Sequence, residues 1–321
     1  MSLYKTYNYQ GSATAIIKEN QSIRNWYLNE VMNLSCNRRF LGTYTSPEIT
    51  VVSSSWMDNP YLDKKWALYQ FAKGYINPII RELINNGYYV YFTGADDYYI
   101  EGKSWYKELH RRHDGLICGY DQQEKTYSIY SHDKNWVYQK FKTPQKCFKK
   151  ACEATAKNGI YAVFCGIKPK ADKIELCPKT ICKNLKEYLD SSLEKYPMEL
   201  SNEDVYGIIV HKFIAEYLNK LLNGTFPHNR MDRRVFRLIW EHKKQMLERI
   251  KAVEEKLGWD EELSKRYKWI EEVSNQNRIM YAAYNLRKRD SLLETIRENL
   301  LKIMTSEEEI LKEMIAKIEK E

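Results

Sequence analysis

The stretch "RRHDGLICGYDQQEKTYSIYSHD", residues 111–133, decides the reading of the fold. Apolar and polar residues alternate on both sides of the polar connection "DQQEK". Residues 113–120 and 126–132 therefore read as two antiparallel strands of a hairpin. His113 opens the first strand and Asp133 follows the second, so the hairpin brings them side by side at its outer end. An imidazole beside a carboxylate is an acid/base unit, because the carboxylate fixes the tautomer and the ring orientation.

Outward from the hairpin, "YYVYFTGADDYYI" (88–100) reads as a strand entering an acidic, tyrosine-rich turn. "NWVYQKFKTP" (135–144), "IYAVFCGIKP" (160–169) and "TVVSSSW" (50–56) add further strands. "WALYQFAKGYINPIIRELINNG" (66–87) and "PQKCFKKACEATAKNG" (144–159) read as helices closed by glycine. The first 35 residues read as helical, with Ser12 capping a helix that begins at Ala13 and a second helical pattern in "IRNWYLNEVMNL" (23–34). The class is α+β, helices first and then a mostly antiparallel sheet.

The pattern changes after Pro169. From about residue 181 strands are no longer expected, and apolar residues recur at helical spacing in "ICKNLKEYLDSSLEKY", "EDVYGIIVHKFIAEYLNKLL" and "DRRVFRLIWEHKKQMLERIKAVEEKL". Two long helices over about 261–288 and 290–319 finish the chain. The expected organisation is a domain over residues 1–170 and a bundle of four or five helices over 171–321. The heptads are not clean enough for a coiled coil, and breaks at "NGTFPHN" and "LGWDE" favour antiparallel packing. Amphipathic helices of this length also suit a homodimer.

The net charge of +8 lies in the front half, where residues 1–170 hold 23 Lys/Arg against 15 Asp/Glu. That surface suits an acidic partner. No nucleic-acid motif accompanies it, so nucleic acid is not the expected partner. No run is long and apolar enough for a membrane span, and "MSLYKTYNYQ" has no apolar signal core, so a cytoplasmic protein with no membrane partner is expected. The seven cysteines form no CxxC pair and read as reduced thiols. Ligand pairs at Cys147/Cys152, Cys177/Cys182 or His110/His113 lack the spacing or the further ligands that would complete a metal site.

The block "NGYYVYFTGADDYYIEGKSWYKELHRRHDGLICGYDQQEKTYSIYSHDKNWVYQKF" resembles the family of the butirosin amide-forming acyltransferase, whose N-terminal domain is peptidase C39-like and papain-like. The acidic-aromatic turn, the "HD-LI-GYD" block and the strand ending in aspartate carry the resemblance. "YGIIVHKFIAEYL" and "DRRVFRLIWEHKKQMLERI" resemble the helical C-terminal parts of relatives from nonribosomal, thiotemplate antibiotic biosynthesis. The resemblance implies an amide synthase. An acyl group would pass from a thioester on the phosphopantetheinyl arm of an acidic acyl or peptidyl carrier protein to an enzyme cysteine, and then to a small amine acceptor, with no other cofactor.

In that family the nucleophile begins the first long helix, here in "YQGSATAII", where Ala13 stands and no cysteine does. Three readings stay open: an introduced Cys→Ala change, a natural inactive member that only binds carrier or peptide, or service by Ser12 or another cysteine. A cysteine-protease-like hydrolase is the neighbouring alternative. Gln10 is the candidate oxyanion donor, against a plain loop residue. Asp96 and Asp97 are candidates to attract the cationic amine, against a solvated turn. The expected catalytic set is therefore position 13 with His113 and Asp133.

Overall fold

The computed structural model describes residues 4–17, 20–37, 46–68, 74–157, 159, 162–192, 204–226 and 232–321. Among them, helices α1 (Asn8–Ile17) and α2 (Gln21–Glu30) precede strands β1 (Leu34–Asn37), β2 (Ile49–Val51) and β3 (Leu62–Leu68). Helix α3 (Ile76–Asn85) leads into β4 (Tyr89–Asp96), β5 (Arg112–Asp121), β6 (Thr126–His132) and β7 (Tyr138–Pro144). Then come α4 (Gln145–Lys157), β8 (Val163–Pro169), α5 (Pro178–Leu189) and β9 (Asp204–Tyr206). Helices α6 (Val210–Leu222), α7 (Arg234–Leu257), α8 (Glu262–Arg287) and α9 (Asp290–Ile318) end the chain. The class is α+β with two antiparallel sheets.

The chain divides into two compact units, residues 1–23 with 55–173, and residues 24–54 with 174–321. Against the expected cut at residue 170, the main difference is that residues 24–54 cluster with the helical unit.

The first unit is built on a six-stranded sheet in the order β3-β8-β4-β5-β6-β7. Ile76 and Ile80 of α3, with Phe148, Ala151 and Cys152 of α4, pack against Val90, Phe92, Ile117, Tyr127, Ile129 and Phe164 of the sheet. The i, i+4 spacing on α3 and the i, i+2 spacing on the strands are what put these residues on facing surfaces. Helix α3 ends at Gly87, whose φ of 79° sits in the left-handed region that closes helices. Helix α1 packs on β5 and β6. Its approach requires Gly11, because a Cβ there would lie 2.5 Å from the Tyr138 ring.

The second unit pairs a three-stranded sheet, β2-β1-β9, with α5 to α9. Arg249 of α7 is fully buried, and its guanidinium donates to the carbonyls of Leu28 (2.7 Å) and Val31 (2.7 Å), satisfying groups at the C-terminal end of α2. Gly258, at φ 69°, stops α7. The long helices expected near 261–288 and 290–319 match α8 and α9.

Five expectations need correction. The strand expected over residues 50–56 ends at Val51, Ser53 takes φ 56°, and residues 56–58 form a short helical turn. Helix α1 starts at Asn8, not Ala13, and the Ser12 hydroxyl caps nothing; it donates back to the Asn8 carbonyl at 2.8 Å. Residues 34–37 form a strand, since Leu34 and Cys36 alternate with half-buried neighbours along a ladder to β2 and β9. "LDKKWAL" is a strand, because seven consecutive positions pair with β8 and the ladder overrides local preference. A strand also occurs after residue 181, where Asp204–Tyr206 pairs with β1. Parts of the expected segments, residues 69–73, 193–196 and 227–229, lie outside the described residues. Among the described residues, no helix is long and apolar enough to cross a membrane.

Candidate functional site

The site begins with a bulge. Strand β4 pairs with β5, and the register shifts between Phe92 and Ala95, where Gly94 takes φ 74°. Such a shift re-aims the strand that follows it. Beyond it Ala95 lies opposite His113, and the chain turns at once into the short helical turn Asp97–Tyr99.

Two aspartates meet two histidines there, pair by pair. Asp96 accepts from the N–H groups of Tyr98 (3.1 Å) and Arg111 (3.2 Å) through Oδ1, and its Oδ2 lies 2.7 Å from Nδ1 of His110. The His110 ring stacks on Tyr98. Asp97, only 2% exposed, hydrogen-bonds Nδ1 of His113 through Oδ2, and its Oδ1 lies 3.5 Å from Nζ of Lys103. A carboxylate on Nδ1 holds the imidazole proton there and leaves Nε2 as the basic nitrogen. The His113 side chain is 22% exposed, so a ligand can reach it.

Lys103 extends this arrangement inward. Its ammonium donates to Ser131 Oγ at 2.8 Å, and burial pulls its pKa down against the opposing pull of Asp97. Ser131 Oγ lies 3.0 Å from the Asp114 carbonyl and 3.3 Å from Asn8 Oδ1. A continuous chain of polar contacts therefore runs from His113 through Asp97, Lys103 and Ser131 to Asn8, the first residue of α1. Asn8 Oδ1 also lies 2.8 Å from Nδ1 of His132, whose Nε2 lies 2.9 Å from the Lys5 carbonyl. Both ring nitrogens of His132 are thus engaged, whereas His113 offers one to a ligand.

The remaining expected residues fall as follows. The β5–β6 ladder is paired from Asp121/Thr126 up to Leu116/Tyr130, and Asp133 follows the end of β6. The Asp133 carboxylate is engaged in the turn that follows. Its Oδ1 accepts from the N–H groups of Asn135 and Val137, both at 2.8 Å, and its Oδ2 accepts from the Gln139 amide. Burial would raise its pKa, but the N–H donors of Val137 and Asn135 outweigh it and hold the carboxyl below the ordinary range. His113 therefore takes Asp97, not Asp133, as its carboxylate.

Ala13 sits in the middle of α1 at 2% exposure, and Gln10 and Ser12 are fully buried in the same helix. The helix-start position expected to hold a nucleophile is occupied by Asn8. With their carboxylates taken up by His113, Lys103 and His110, and with exposures of 2% and 4%, Asp97 and Asp96 offer little to an incoming amine.

The thiols lie elsewhere. Burial pushes Cys36 and Cys165 up to about 12 and raises Cys152 and Cys182 as well. Cys177, at the start of α5, is lowered by hydrogen bonds at Thr180. Among the described residues no group of three or more His, Cys, Asp or Glu side chains could hold a metal ion.

Sequence reasoning missed Asn8, Lys103 and Ser131 as parts of the site, and missed Asp97 as the partner of His113. The signal for Asp97 was present in the order of "ADD" and "HRRH", two acids and two imidazoles in matching sequence. Its use required the bulge at Gly94, which the sequence shows only as an isolated glycine within a strand. No protein-family model matches the chain, and no curated protein matches it.

Proposed function

We propose that the first unit is a papain-like, C39-peptidase-like scaffold, and that the chain moves an acyl group from a carrier-bound thioester to a small amine. His113 serves as general base and Asp97 as its orienting carboxylate. The observation that carries this reading is the buried Asp97 on Nδ1 of a reachable His113, backed by Lys103. The α1 N-terminus, joined by hydrogen bonds to the end of β6, supports the papain-like part of the reading.

The start of α1 offers an amide, Asn8, where a thiol would be needed to form an acyl-enzyme. The reaction that fits these residues is direct aminolysis. Nε2 of His113 takes a proton from the amine as its nitrogen adds to the thioester carbonyl. The tetrahedral oxyanion collapses, the C–S bond breaks, and the leaving thiolate takes the proton back from the imidazolium. Asp97 stabilises the imidazolium in between. The thioester supplies the driving force, so no nucleotide is consumed. The excess of positive charge in residues 1–170 supports an acidic carrier as the donor.

The test incubates the protein with an acyl-pantetheine thioester and an amine, and follows amide, free acid and intact protein mass. Amide formed without any acylated protein, and lost by about 10²–10⁴-fold in His113→Ala, is the expected outcome. Free acid in place of amide would make the chain a hydrolase. A second reading, binding without turnover, is favoured by Asn8 standing at the start of α1 and Ala13 buried within it, with no thiol at either position. Under it the thioester binds and no product forms.

A further inference from the structure

The connection between β6 and β7 is tightly built for so short a turn. The Asp133 N–H donates to the Val137 carbonyl at 2.9 Å, and the Trp136 N–H to the Asp133 carbonyl at 3.0 Å. The Asp133 carboxylate collects the N–H groups of Asn135 and Val137. From the neighbouring loop, the Gly102 carbonyl takes the Lys134 N–H at 2.7 Å, and Ser104 Oγ donates to the Asp133 carbonyl at 3.1 Å. All of this holds Trp136 at φ 59°, in the left-handed region where glycine or asparagine would be at ease and a bulky side chain is an outlier.

The strained residue is not put to use as packing. Trp136 is 49% exposed, and Val137 beside it is 50% exposed. The indole plane is nearly perpendicular to the His113 ring, with ring centroids 6.5 Å apart, and nearly perpendicular to Trp105 at 6.2 Å. A half-exposed indole beside the reachable imidazole suits either a planar π-system or a cation. The surrounding charge favours the first. In the flanking segment 101–112 and in the turn itself, Lys107, Arg111, Arg112 and Lys134 are exposed against Glu101 and Glu108, with the Arg111 guanidinium over the Trp105 ring at 5.8 Å. The acids Asp96, Asp97 and Asp133 are turned inward and occupied. This positive excess makes the indole a better seat for the flat neutral acyl group than for a cation.

We infer that Trp136 is a specificity-determining residue that seats a planar aromatic acyl group beside His113, and that Asp133 is the positioning residue that holds the turn. This inference rests on the acyl-transfer reading of His113, so binding and turnover are measured separately. The probes are the benzoyl and cyclohexanecarbonyl thioesters of pantetheine, alike in size and unlike in planarity, together with the non-reacting benzyl and cyclohexylmethyl thioethers. Wild type and His113→Ala both bind the benzyl thioether about tenfold more tightly than the cyclohexylmethyl one. Trp136→Gly abolishes that preference without lowering the melting temperature, since glycine adopts φ 59° freely. Trp136→Phe keeps part of it, Asp133→Ala loses it, and Asp133→Asn, which still accepts both N–H groups, retains it.

Equal affinity for the two thioethers in wild type would overturn the inference even if the thioesters turn over. So would a preference that survives in Trp136→Gly. An aromatic preference that depends on Trp136, with no turnover of either thioester, would leave the aromatic seat standing and remove the acyl-transfer reading.

Discussion

Replacing Glu307 by glutamine tests the physical account of the helical unit most severely. Lys243 of α7 and Glu307 of α9 form an ion pair at 2.6 Å with neither side chain exposed. Glu307 also accepts from Tyr188 at 2.9 Å and from the Tyr267 hydroxyl. The nearby histidines give Lys243 no compensation. Burial and Lys243 push His211 down to about 4, and His242 well below its ordinary value, so both are neutral. Glu307→Gln keeps the shape and an acceptor for the tyrosines but leaves an ammonium buried without its carboxylate. Breaking a buried pair on one side costs about 3–5 kcal/mol, which corresponds to a loss of roughly 10 °C in melting temperature for a unit of this size.

The pH dependence carries a sign. Burial lowers the Lys243 pKa even with Glu307 present, and removing Glu307 lowers it further. The unfolded chain then binds more protons than the folded one, so stability of the variant rises as pH climbs towards the ordinary lysine range. For Glu307, burial would raise the pKa, but Lys243 holds it below the ordinary value. Its contribution is present above the unfolded carboxylate pKa and lost as pH falls through the depressed one. Scanning calorimetry of Glu307→Gln and Lys243→Met/Glu307→Gln between roughly pH 6 and 10, and of wild type down to roughly pH 3, reads both effects. The double variant recovers most of the loss, because the uncompensated charge is gone. A loss below about 1 kcal/mol in Glu307→Gln, or one independent of pH, would refute the buried pair.

Three further outcomes follow from local geometry. Gly207→Ala destabilises the helical unit by at least about 3 kcal/mol in denaturant unfolding, because a Cβ would lie 2.2 Å from the Tyr188 carbonyl oxygen at φ 71°. Iodoacetamide labels Cys177 in the folded protein ahead of Cys36, Cys152 and Cys165, whose thiols burial keeps protonated; mass mapping of the alkylated peptides checks the order. Ala13→Cys stays unlabelled and unacylated until the protein unfolds, since position 13 is 2% exposed inside α1; intact mass after thioester exposure checks this.

The hairpin of residues 113–132 was legible from two apolar runs around a polar turn, despite a bulge in β5 between Ile117 and Gly119, and α6, α7 and α9 were legible from apolar residues at helical spacing. The β1 and β9 segments were not, since three or four residues give too little periodicity and their pairing comes from distant chain. "LDKKWAL" failed for a related reason: its partner, β8, lies about a hundred residues on, and nothing local demands extension. The start of α1 was misplaced because Ser12 has a capping side chain but spends it on the Asn8 carbonyl. His113 was found from its place at a strand end. Strand pattern alone points to the end of the adjacent strand for its carboxylate, whereas the bulge in β4 swings Asp97 in from the other side. Side-chain partnership across a sheet end depends on such re-aiming, which strand pattern alone does not encode.

The central claim is that His113, oriented by Asp97, is the base of an acyl transfer. The most direct measurement is the rate of amide formation from a pantetheine thioester and an amine, for wild type, His113→Ala and Asp97→Asn in parallel. The account predicts measurable aminolysis by wild type at neutral pH, a fall of about 10²–10⁴-fold in His113→Ala, and a fall in Asp97→Asn as the imidazole loses its orienting carboxylate. Amide formation at the same rate in all three proteins, or in none of them while the thioester still binds, would contradict it.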